Sequence, residues 1–283
     1  MKNILLPTDF SENAFNAIRY ALQLFKEEPC NFYILNSYSP PMSAPSSGVT
    51  TQMLNDSILK ALVEDSERGL NESLQKIKDN YANDKHNYTL LPAFDFFNTA
   101  VEKAVKKFEI DYVVMGTKGA SGLKEVAIGS NTAGLIGNLK CPILAIPQYA
   151  EHKSLNELGF AADYEISYTH KGLSPFTSLI PDNNTAVSVL HIMEKGKEMK
   201  AEQLNHQQDV RDSLISYNTT FYTLTDINVT AGVRAFCESR KLDMLCLVAK
   251  KHNFLDRLLG KTHSKSISSH AEVPLLVLNA NTF

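Results

Sequence analysis

The sequence has no excess of either charge. Its 28 Lys and Arg stand against 31 Asp and Glu. The balance holds along the chain, with 14 basic and 16 acidic residues in 1–150 and 14 and 15 in the remainder. Neither half is a basic arm for nucleic acid or for an anionic membrane surface. Long apolar runs are missing too, none approaching the roughly 20 residues a membrane span needs. The opening residues Met1 to Pro7 are too short in their apolar part for a signal peptide and lack a small-residue cleavage site, so a cytoplasmic protein is expected. Cysteine is scarce: Cys30, Cys141, Cys237 and Cys246 are far apart with no C-x-x-C, and in a reducing compartment they read as small buried apolar residues. No Ser-His-Asp order or paired-carboxylate arrangement stands out. His263 and His270 share a helix face without carboxylate or thiol company, so no metal site is expected.

What is present is an ordinary globular composition, 43% hydrophobic and 21% charged over 283 residues, enough for about two domains. In the first half Asn3–Leu6 is a short unbroken apolar run, as a parallel strand covered on both faces requires. It ends at Pro7-Thr8-Asp9. Ser11 is a good N-cap for a helix whose stripe is Ala14, Ala17, Ile18, Ala21, Leu22 and Phe25. A strand at Phe32–Leu35 ends at Asn36-Ser37. Residues 39–51 have the proline and serine content of a loop, and a long polar helix follows to Tyr81. Tyr88–Leu91 is a third strand, Phe97 to Phe108 a third helix, Tyr112–Met115 a fourth strand, and Pro142–Ile146 closes the set after a fourth helix. Strands alternating with helices predict an α/β fold, a parallel sheet with helices on both faces. Asp9, Ser37 and Gly116 all stand at strand carboxyl ends, where such sheets bind ligands.

From Leu158 the plan runs again. Asp163 takes the place of Asp9, strands are expected at Thr185–Ile192, Thr220–Leu224, Met244–Ala249 and Pro274–Leu278, and a polar helix near 197–216. The expected domains are therefore 1–150 and 151–283. The second copy lacks the glycines of the first: opposite Gly116 and Gly119 stand Ala249 or a neighbour and the bulky Lys250-Lys-His-Asn-Phe254. The basic run Lys250, Lys251, His252, Arg257 and Lys261 reads as a solvated loop or, failing that, an anion or partner patch. Gly260-Lys261-Thr262 looks like the tail of a phosphate loop, but Leu255 stands where its first glycine is required.

The stretch richest in chemistry runs from Gly116 to Thr132, between a strand and a helix: a glycine, two residues, Gly119, nine residues, then Gly129-Ser130. Glycines let a main chain approach a phosphate, and helix-start amides attract anions. With Pro7-Thr8-Asp9 and the closing strand, this spacing resembles the ATP-binding subgroup of the universal stress protein family over nearly the whole chain. The resemblance implies two fused five-stranded Rossmann-like units, arranged as a pseudo-two-fold dimer that meets antiparallel through Leu144–Ile146 and Leu276–Leu278. It implies one ATP, with Mg²⁺, in the first unit. The main-chain amides of Gly119, Ser130 and Asn131 would face the phosphates, with hydroxyls from Ser130 and Thr132. Lys118 departs from the family's usual residue there, yet its charge suits a phosphate. Asp9 would bond ribose or adenine, cap the Ser11 helix, or both, and Pro7, Thr8, Ser37 and Met115 would wall the adenosine. A binding module read by an unknown protein partner or a homodimer surface is the leading function. A slow ATPase or adenine-nucleotide hydrolase, and a nucleotide-free interaction or small-ligand module, are the alternatives.

Overall fold

The computed structural model describes residues 1–39, 49–117, 129–249 and 273–283, with main chain only for 49–56. The expectations placed on Lys118, Gly119, the basic run from Lys250, Gly260–Thr262, His263 and His270 lie outside the described residues.

The first half runs β1 (Lys2–Pro7), α1 (Glu12–Leu24), β2 (Cys30–Tyr38), α2 (Val49–Tyr81), β3 (His86–Phe94), α3 (Phe97–Phe108), β4 (Tyr112–Gly116), α4 (Ser130–Leu135) and β5 (Ile143–Ile146). The second runs β6 (Glu157–Ala161), α5 (His170–Thr177), β7 (Ala186–Met193), α6 (Ala201–Ser213), β8 (Asn218–Thr225), α7 (Val229–Arg240), β9 (Met244–Ala249) and β10 (Leu275–Asn279). The alternation of elements is as the sequence predicts. Several details differ. Strands β2 and β3 are longer at both ends than the expected Phe32–Leu35 and Tyr88–Leu91, and β2 runs through Asn36 and Ser37. Helix α2 starts at Val49, inside the expected loop, and α6 is shorter than the expected 197–216. Helix α5 was not expected at all: it carries Gly172 and Pro175, both poor helix-interior residues, and is started by Thr169, whose hydroxyl accepts from the Gly172 amide at 3.1 Å.

The ten strands among the described residues form one sheet in the order β3-β2-β1-β4-β5-β10-β9-β6-β7-β8. Every pairing is parallel except β5 with β10, which is antiparallel. Each half thus has the order third-second-first-fourth-fifth, and the two meet through their last strands. The register centres on Leu144 opposite Leu276, flanked by Ala145 with Leu275 and Ile143 with Val277; the expected Ile146 and Leu278 fall outside the paired segment. Pairing removes both of these strands from the edge, leaving β3 and β8 as the outer strands.

Side chains alternate across the sheet. Ile4, Leu6, Phe32, Leu144, Phe160 and Leu276 belong to one buried cluster, beneath α1 and α5. Leu5, Val113, Ala145, Leu190, Leu247 and Val277 belong to the other, beneath α3 and α7. Both clusters run through both halves. Cys30, Cys141 and Cys246 are buried, Cys237 is half-buried, and none is in a disulfide. Burial pushes the Cys30 and Cys237 thiols up to about 11, which suits packing and not thiolate chemistry. Among the described residues no helix is long and apolar enough to cross a membrane, and no cluster of three metal-ligating side chains occurs.

Candidate functional site

The strand order reverses between β1 and β4, and the carboxyl ends of strands beside such a reversal are where ligands of open α/β sheets sit. Pro7 is buried at the end of β1. Thr8, 8% exposed, is held on three sides. Its amide donates to the Leu35 carbonyl at 2.8 Å, its carbonyl accepts from Asn36 Nδ2 at 2.8 Å, and its hydroxyl accepts from the Phe10 amide at 3.0 Å. Asp9 is exposed, and its Oδ1 accepts from the Ser11 amide at 3.1 Å and the Ser11 hydroxyl at 2.6 Å. Ser11 in turn caps α1, its Oγ accepting from the Ala14 amide at 3.2 Å. The capping role expected of this turn is therefore present.

Phe10 adopts φ 64°, the left-handed region that few non-glycine residues visit. Its ring lies over Gly69 of α2, where a Cβ would come within 2.5 Å of it. The backbone strain is held by this packing together with the bond from the Phe10 amide to the Thr8 hydroxyl. Ser37, half-buried, follows Asn36 at the end of β2.

On the other side of the reversal, Met115 is 6% exposed and Gly116 is buried. The Thr117 amide donates to the Ile146 carbonyl at 2.9 Å, and the Gly129 amide donates to the Thr117 carbonyl. The chain thus leaves the sheet at Thr117 and returns at Gly129 through a closed main-chain base. Thr132, 2% exposed, donates its hydroxyl to the Gly116 carbonyl at 3.0 Å. That hydroxyl ties α4 to β4, while Ser130 and Asn131 at the helix start are exposed.

The second half repeats the framework. Asp163 Oδ1 accepts from the Glu165 amide at 3.0 Å, as Asp9 does from Ser11, and Tyr164 has φ 54° where Phe10 has 64°. The Ala162 amide donates to the Leu190 carbonyl at 2.9 Å, as Thr8 does to Leu35. Its surroundings are different. Tyr164 is 1% exposed and stacks on His191 with ring centroids 4.8 Å apart, and Tyr168 donates its hydroxyl to Asp163 at 3.2 Å. The cavity left beside Ala162, Asp163, Leu190, Ile192, Val229 and Val233 holds only about 50 Å³, well below the roughly 300 Å³ of a small-molecule site. The strand registers also set Val248, not Ala249, opposite Gly116: Gly116 pairs with Ile146 on β5, and Val248 with Leu278 on β10.

Two residues of the site were not singled out in the sequence. Asn36 is a polar residue ending an apolar strand, and Asn13 is a polar residue on the buried face of α1. A buried amide calls for hydrogen-bond partners; Asn36 meets that need at the Thr8 carbonyl, and for it that requirement was the available signal.

A model of the universal stress protein family matches residues 1–147. A universal stress protein of Methanocaldococcus jannaschii is 30% identical over 149 residues, 51% of this chain and 81% of the relative. The crystal structure of a universal stress protein from Archaeoglobus fulgidus is similar along the whole length, with a TM-score of 0.64 at 19% identity, covering 98% of this chain and 96% of that one. A universal stress protein solved in complex with cAMP matches 52% of this chain and 97% of its own, with a TM-score of 0.36 at 18% identity.

Proposed function

Since the chain belongs to the universal stress protein family, we propose that it is a tandem member of it, a cytoplasmic module that binds ATP with Mg²⁺ in the unit 1–150 and carries a degenerate copy in 151–283. The observation that carries this reading is placement. The Asp9 turn, Ser37 and the closed base formed by Thr117 and Gly129 all stand at carboxyl ends of strands on both sides of the reversal point. The family likeness supplies the ligand class, and one family member has been solved with cAMP.

In this reading the amides of Gly119, Ser130 and Asn131, the Ser130 hydroxyl and the Lys118 ammonium hold the phosphates. Asp9 holds ribose or adenine, and Pro7, Thr8, Ser37 and Met115 form the wall. Mg²⁺ would neutralise phosphate charge. Thr132 donates its hydroxyl to the Gly116 carbonyl and in this reading serves the site by orienting α4. The second unit, with Val248 in place of Gly116 and Tyr164 packed over its turn, takes no nucleotide. Binding then stabilises the ligand-holding state, and a protein partner or a homodimer surface reads that state.

The test is thermal melting with ATP and Mg²⁺, beside mass spectrometry of what co-purifies. At a ligand excess of a hundred Kd, stabilisation is about 2.7 kcal/mol. Gly129→Val and Gly119→Val should remove the shift and leave the fold. Gly129 sits at φ −65°, open to any residue, so a loss there reports crowding and not backbone strain. No shift in wild type, or equal shifts in wild type and both variants, overturns the reading, and ATP turnover above background replaces it with a hydrolase.

A further inference from the structure

The two halves brace the same carbonyl with different side chains. In the first half Asn36, 9% exposed, donates Nδ2 to the Thr8 carbonyl at 2.8 Å. In the second half His191, 5% exposed, makes a Nδ1 contact of 2.8 Å with the Ala162 carbonyl. A carbonyl only accepts, so His191 carries its proton on Nδ1 and Asn36 turns its NH₂ to Thr8. Thr8 and Ala162 are counterparts: each follows the first strand of its half, and each amide donates to the next strand, at Leu35 and Leu190. Each also precedes an aspartate and then a left-handed residue, Phe10 or Tyr164.

One need met by two unlike side chains points to the backbone they hold. The carbonyl sits two residues before a left-handed aromatic, at the place where the chain leaves the sheet and would otherwise be free to relax. We infer that Asn36 is a positioning residue for the nucleotide site. It fixes the Thr8 carbonyl, and with it the Thr8–Phe10 bond and the aim of the Asp9 carboxylate, without touching ligand itself. The ligand part of this inference rests on the ATP reading above; the bracing part does not.

The second half adds a rescue that a merely structural account would not suggest. A histidine performs the bond there, so Asn36→His should restore what Asn36→Leu removes. In the full-length protein Asn36→Leu is expected to weaken ATP binding about tenfold by calorimetry, a loss of about 1.4 kcal/mol. It is also expected to speed hydrogen exchange of the Phe10 amide by a similar factor. Asn36→His should return both to within about threefold of wild type. The exchange measurement is made without nucleotide, so it decides the bracing even where wild type binds no ATP, a result that fells the ATP reading alone. Unchanged Phe10 exchange in Asn36→Leu, or a folded Asn36→His that restores neither quantity, overturns the inference. Where Asn36→Leu fails to fold, Asn36→Asp, which replaces the donor with an acceptor, is read by the same exchange experiment.

Discussion

Asn13 lies where a side chain on Gly116 would have to go. A Cβ on Gly116 would stand 3.0 Å from Asn13 Cγ, 3.1 Å from its main-chain oxygen, and closer still to Nδ2. The absence of a side chain at the end of β4 is therefore required by helix α1 packing onto the sheet, whatever else the glycine does. Gly116 reads in the sequence as the first glycine of a phosphate loop. In the fold it is a packing glycine, and a phosphate role would be separable from that one by experiment.

Gly116→Ala should destabilise the protein by about 1–3 kcal/mol through overpacking, read as the urea midpoint. In the double variant with Asn13→Ala the penalty should fall below the sum of the two singles, because the crowded partner has been removed. Strict additivity would show that the close approach does not matter.

Thr132→Val keeps the shape and deletes the hydroxyl that reaches the Gly116 carbonyl in a buried setting. A loss of about 1–2 kcal/mol is expected, since the carbonyl stays buried without that donor. Thr132→Ser should retain most of the stability. If Val and Ser behave alike in chemical denaturation, the bond is not what ties α4 to β4.

The fold was legible because its signals are local and periodic. Apolar runs such as Met244–Ala249 and the Ser11 cap appear in the structure where the sequence put them. Helix α5 was hidden because Gly172 and Pro175 speak against a helix, while Thr169 capping and the burial of Leu173 and Phe176 override them. The site was half legible. Asp9, Ser37 and Gly116 are candidates because they stand at strand ends, a feature that can be read from the sequence. Asn36 and Asn13 are not legible in that way, since their work depends on a carbonyl 28 residues away and a glycine on a distant strand. Register was out of reach for the same reason: one step along β9 decides whether Ala249 or Val248 replaces Gly116.

His86 gives the chain a pH dependence. It is 7% exposed, its Nε2–H donates to the Phe25 carbonyl at 3.2 Å, and its ring meets Phe32 edge-on. Burial holds it below the ordinary histidine value, with nearby Lys85 adding to the effect and the Phe25 and Glu28 carbonyls opposing it. The unfolded chain then binds a proton more readily than the folded one, so stability falls as pH drops below about 6.5. His152, also lowered by burial, acts in the same direction. Urea midpoints from pH 8 to pH 5 should decline in wild type and decline less in His86→Phe. Parallel curves would assign the slope to other groups.

The seam between the halves gives the last prediction. Leu144 and Leu276 are fully buried and directly opposite each other on the antiparallel pair β5 and β10. Both also lie in a core cluster that continues from Ile4 in the first half to Phe160 in the second. Cutting either leucine to alanine opens a cavity shared by both halves, at about 2–5 kcal/mol. A seam inside one core predicts one cooperative unfolding transition, which Leu144→Ala and Leu276→Ala each move as a whole, with the double variant losing less than the sum. The sequence contains no tryptophan, so calorimetry together with far-ultraviolet circular dichroism is the suitable readout. Two transitions, with each variant lowering only the one that belongs to its own half, would mean that the halves fold as separate bodies and that the pairing of Leu144 with Leu276 adds little to either.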